Sequence, residues 1–163
     1  VEEVGHALHL GSGADGNGDL RLVGADADVW AAWKLCAGNP DVIVAVIDQG
    51  VKYDHEDLAD NMWINKGEIP GNGIDDDGNG YVDDIHGFNF VDNKGTIITS
   101  SNLSHGTHVA GTIAAVNNNG IGVNGIAGGS GNKDGVRIMT LQTLGASENG
   151  SSGSGLGGIV RAM

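Results

Sequence analysis

Cysteine, proline, basic residues and long hydrophobic runs are all scarce in this chain, and each scarcity removes a class of explanation. The single cysteine, Cys36, excludes an internal disulfide. It falls on the apolar side of a predicted helix and reads as a packed, unreactive thiol. Only 8 lysines and arginines oppose 21 acidic residues, a net charge of -13. That charge repels phosphate backbones and anionic lipid, which argues against nucleic acid or a membrane surface as partner and favours cations. No run reaches the roughly 18 apolar residues of a membrane span, and no basic-then-apolar secretion signal opens the chain at Val1. Two prolines against 30 glycines leave the tight turns to glycine.

The acid is unevenly spread. Asp75, Asp76, Asp77, Asp83 and Asp84 crowd a ten-residue stretch that also contains Asn79, Gly80 and Tyr81. Oxygen side chains alternate there and a glycine falls at the sixth position, as in the calcium loop D-x-[DN]-x-[DN]-G. Asp75, Asp77, Asn79, Tyr81 and Asp83 or Asp84 are therefore candidate calcium ligands. His86 stands at position twelve, where a bidentate glutamate closes a full helix-loop-helix site, so Asp83 or Asp84 has to close the shell. A solvated acidic turn is the rival reading.

Residues 1–24 are glycine-rich without a sustained period and read as a lead-in segment. A helix is predicted from an Asp28 cap through Cys36, stopped by Gly38 and Pro40. Val42 to Ile47 is apolar at every position and β-branched at most, which predicts a strand buried on both faces of a parallel sheet. Residues 61–102 read as a Gly/Asn/Asp-rich, loop-like insertion. A second helix is predicted from a Ser104 cap through Val116, a second buried strand over Val136 to Leu141, and the start of another helix over Leu156 to Met163. Helices alternating with apolar strands predict an α/β fold with a mainly parallel sheet.

Asp48 ends the first strand, and in open α/β sheets chemistry is done outside the carboxyl ends of strands. His105 opens the second helix within Ser104-His105-Gly106-Thr107-His108-Val109-Ala110-Gly111-Thr112. An apolar strand ending in Asp-x-Gly, followed by a Gly-flanked histidine on an Ala-rich helix, resembles the subtilisin-like serine protease family, the subtilases. The resemblance implies a three-layer α/β/α sandwich, of which the whole chain, residues 1–163, is the N-terminal portion. It implies a serine endopeptidase that hydrolyses peptide bonds in peptide or protein substrates, with Asp48 and His105 as two members of an Asp/His/Ser triad. Gln49 stands where the family has threonine or serine, and Glu56 replaces its proline in His55-Glu56-Asp57-Leu58. No Gly-Thr-Ser segment occurs, and no serine sits in G-x-S-x-G. The serine is therefore expected in the C-terminal remainder of the catalytic domain, which makes that remainder a partner and this fragment inactive alone.

The resemblance also implies a structural calcium ion held by Asp57, Asn119 and the carbonyls of Val116, Ile121 and Val123, an extended substrate-binding segment at Gly153, Ser154 and Gly155, a packed structural role for His108, and an extracellular or cell-envelope location. Two other readings stand beside the protease. One is a calcium-dependent binding or structural module that keeps the fold without catalysis. The other is a metal site on His105 and His108, which lacks the glutamate of H-E-x-x-H.

Overall fold

The computed structural model describes residues 29–97 and 104–145. The lead-in segment, the Asp28 cap, Gly153, Ser154 and Gly155 and the helix expected after Leu156 all lie outside the described residues. The elements run α1 (Val29–Trp33), β1 (Ile43–Asp48), a 3-10 turn (Ala59–Asn61), β2 (Gly87–Asn89), α2 (His105–Ala114) and β3 (Arg137–Gln142). The three strands form one parallel sheet in the order β1-β3-β2. Val46 lies beside Thr140 and Asp48 beside Gln142, while Phe88 flanks Leu141 from the other side.

Parallel neighbours need crossovers, and the chain supplies one through α2. Gly106, Ala110 and Ala114, four residues apart on one stripe, are buried. Their small side chains let the helix approach the sheet closely. A core of Val46, Val51, Leu58, Met62, Ala110, Ala114, Val136 and Ile138 fills that side. On the opposite face of β3, Leu141 and Met139 pack against Phe88, Phe90 and Tyr81. The central strand thus has both faces covered, in the manner expected of a parallel sheet.

The structure departs from the sequence reading at four places. First, β1 is packed on one face only. Val46 and Asp48 are buried, but Ile43 is 49 % and Ile47 is 38 % exposed, because among the described residues α2 covers only the face that carries Val46 and Asp48. Second, α1 stops at Trp33 rather than Cys36. The amides of Leu35 and Cys36 both turn back to the Ala32 carbonyl, and the Cys36 thiol is exposed, donating to Gly38 O. Third, the 61–102 insertion is not wholly loop, since its Gly87–Asn89 stretch is the third strand. Fourth, Ser104 precedes α2 as expected but makes no side-chain cap bond.

The turn after β1 is tied down through Asn61. Fully buried, its amide donates to the carbonyls of Ala114 and Gly128, at 2.9 and 3.1 Å, so one side chain satisfies two main-chain acceptors from separate segments.

Candidate active site

Asp48 and His105 are 57 residues apart in sequence and meet at hydrogen-bond distance. His105 Nδ1 lies 2.7 Å from Asp48 Oδ2. Each comes from the terminus of a regular element. Asp48 is the last residue of β1, its carbonyl accepting from Thr143 and Leu144 beyond the end of β3, and its Oδ1 accepts the Gln49 amide at 2.6 Å. His105 is the first residue of α2. The two environments differ sharply, with the aspartate side chain 11 % exposed and the imidazole 69 % exposed. A buried carboxylate accepting from Nδ1 fixes the tautomer that carries its proton there and leaves Nε2 as the basic nitrogen facing solvent.

Close approach of the two elements needs Gly106. A Cβ at that position would overlap the Gly50 carbonyl oxygen and crowd Asp48 Cβ. The neighbouring Thr107 accepts the Lys52 amide on Oγ1 at 2.9 Å. His108, expected beneath the helix, is instead exposed. Two positions from both Gly106 and Ala110, it falls on the side of α2 that faces away from the sheet. Among the described residues, neither His105 nor His108 belongs to a group of three or more His, Cys, Asp or Glu side chains close enough to share a metal.

Around Asp57 the structure shows contacts to Asn119, Val116 and Val123 that are made through their N–H groups. Asp57 is 3 % exposed, and its carboxylate accepts from Asn119 Nδ2 at 2.7 Å and from the Val123 amide at 2.8 Å. Its main-chain carbonyl accepts from Val116, and Asn119 Oδ1 accepts from Ile121. The loop can wrap the carboxylate because Gly122, at φ +53°, carries no Cβ, which would strike Asp57 Oδ2. The groups placed against this carboxylate are thus N–H donors, from Asn119 and Val123.

The acidic loop divides into two groups. Asp75 accepts from the Gly78, Asn79 and Gly80 amides, Asp83 from those of Gly71, Asn72 and Gly73, and Glu68 likewise from those of Asp76, Asp77 and Asp83. Tyr81 turns to Phe88 and Phe90 and packs as an aromatic. Asp77 and Asp84 do meet, joined by Glu68, with one carboxylate oxygen from each within 4.8 Å of the others. The Asn65 and Asn79 amides lie between the two aspartates. Burial pushes the Asp84 carboxyl above the usual range, with the charges of Asp77 and Glu68 adding to the effect and hydrogen bonds from Asn65 and Asn79 opposing it. Glu68 escaped the sequence reading because it stands outside the alternating run and no spacing links it to Asp77. Three carboxylates gathered this closely, two of them buried, match the oxygen donors of a hard divalent cation.

The profile of the subtilase family matches residues 39–163. The chain belongs to the subtilase family. Within it, 88 residues are 50 % identical to subtilisin-like protease 1 of Plasmodium vivax, covering 53 % of this chain and 14 % of that protein. A longer match, 36 % identical over 121 residues, covers 74 % of this subtilase and 18 % of the halolysin-like extracellular serine protease Nep of Natrialba magadii. The thermophilic serine proteinase of Bacillus sp. (strain AK1) is 33 % identical over 120 residues, covering 74 % of the chain and 22 % of that protein. The chain thus spans less than a quarter of the length of each of these relatives.

Proposed function

We propose that this subtilase chain supplies the aspartate and histidine of a serine endopeptidase whose nucleophilic serine lies in a part of the parent protein not included in these 163 residues. The observation that carries the proposal is the 2.7 Å contact between His105 Nδ1 and the buried Asp48 carboxylate. In the reaction, His105 Nε2 takes the serine proton as Oγ attacks the scissile carbonyl carbon, then delivers it to the leaving amine nitrogen. Asp48 holds the ring in the productive tautomer and stabilises the imidazolium that forms. Water repeats the cycle on the acyl-enzyme, releasing the acid and returning the serine proton.

The substrates are peptides or proteins, and the covered relatives' description as proteases supports that class. The extracellular description of the Natrialba relative supports a parent that works outside the cell or at its envelope. Calcium is the proposed structural ion. Asp57 and Asn119, with carbonyls of Val116, Ile121 and Val123, would hold one ion, and Glu68, Asp77 and Asp84 another. Its chemistry there is charge neutralisation and loop closure.

The test uses the full-length parent. His105→Ala should lower kcat by about a million-fold, a magnitude taken from subtilisin itself, and Asp48→Asn by about ten-thousand-fold through the wrong tautomer. Melting temperatures should stay near that of the parent. An active His105→Ala enzyme would overturn the triad.

A further inference from the structure

We propose that Thr107 is a positioning residue for the Asp48 and His105 pair, its side-chain oxygen tying the loop that leaves Asp48 to the helical turn that carries His105. The inference rests on the triad reading above. The physical need for such a tie comes from the asymmetry of the pair. Asp48 is held on the sheet by β1 pairing, by the Thr143 and Leu144 amides on its carbonyl and by the Gln49 amide on its carboxylate. Among the described residues, the His105 ring is held through its Nδ1 contact to Asp48 Oδ2. Its position is therefore set by where the first turn of α2 stands relative to the end of β1.

Besides the packing of Ala110 and Ala114 and the Asn61 bond farther along the helix, two contacts act at the first turn itself. Gly106 lets the turn settle against Gly50 O and Asp48 Cβ, which fixes how near the helix comes but not how it slides or rotates. The bond from the Lys52 amide to Thr107 Oγ1, at 2.9 Å, is directional and spans 55 residues of sequence. It joins a residue four past Asp48 to one two past His105, so the loop and turn are closed into a ring through the catalytic contact itself. Ser104 contributes no side-chain cap bond at the same helix end, which leaves this link to Thr107. The donor is main chain, so the side chain at Lys52, which pairs instead with Asp54, takes no part.

The full-length parent tests this with Thr107→Val, which keeps the shape and removes the acceptor, and Thr107→Ser, which restores it. Misplacement on the sub-ångström to ångström scale should cost Thr107→Val about ten- to a hundredfold in kcat with KM within about twofold. The low-field proton resonance of His105 Nδ1 should weaken or broaden in the valine variant and return, with kcat, in the serine variant. Parental kcat and an unchanged Nδ1 resonance in Thr107→Val would overturn the proposal. So would a serine variant as slow as the valine one, or a loss of activity equal to the loss of folded protein. Failure of the triad reading shows separately, as activity surviving in His105→Ala whatever Thr107 does.

Discussion

At the scale of single residues, burial separates side chains that the sequence presents alike. Asn61 and His108 are both polar residues beside apolar ones, yet Asn61 is fully buried with two carbonyls on its amide, whereas His108 is exposed. Asn61→Ala leaves the Ala114 and Gly128 carbonyls without that donor and should cost about 2 to 3 kcal/mol of stability. His108→Gln should change stability by no more than about 0.5 kcal/mol. Denaturant midpoints of the two variants in the full-length parent check the contrast, and a large loss in His108→Gln would show that the histidine is packed in the whole protein. Asp48 and His105 were legible because each ends an element with a strong local signature. Thr107 and Glu68 were not, since their partners are fixed by contacts between distant segments.

At the scale of elements, the two oxygen-rich loops differ in what binding a cation would relieve. Around Asp57 one buried carboxylate is already served by amide donors, whereas Glu68, Asp77 and Asp84 bring three negative charges together and Asp84 is pushed toward its neutral form. Calcium at about a hundred times its Kd should stabilise the parent by about 2.7 kcal/mol per site through mass action. An Asp77→Ala/Asp84→Ala double variant should lose the share of stabilisation belonging to the acidic loop, and Asp57→Ala the other share. Thermal melts across a calcium titration read both, and identical curves for the double variant and the parent would remove the loop as a site. The alternating spacing singled out the stretch that contains Asp77 and Asp84. It also enrolled Asp75 and Asp83, which the folded loop uses to hold its own turns.

At the scale of the whole molecule, the sheet formed by the described residues has β1 at one side. β1 is an edge strand, and Val42, Ile43 and Ile47 are exposed beside it. The 163 residues expressed alone should leave a fluorophosphonate probe unreacted, because a general base without a positioned serine performs no acyl transfer, and the full-length parent should be labelled at one serine. Intact-mass measurement decides both, and stoichiometric labelling of the short chain would reveal a nucleophile within it.

The sequence by itself determined the strands at Ile43 and Arg137, the helix at His105 and the choice of Asp48 and His105 as the candidate pair, because apolar runs, helical spacing and the Asp-x-Gly and His-Gly-Thr-His segments are local signals. Strand limits shifted by a single residue and the helix ended two short of Val116, within the ordinary fraying of element ends. Only the tertiary structure decided that Gly87–Asn89 joins the sheet, that β1 is packed on one face, that Cys36 is exposed, and that Glu68 meets Asp77 and Asp84. Each of those depends on which segment lies alongside, and a pattern confined to one segment carries no record of its neighbour.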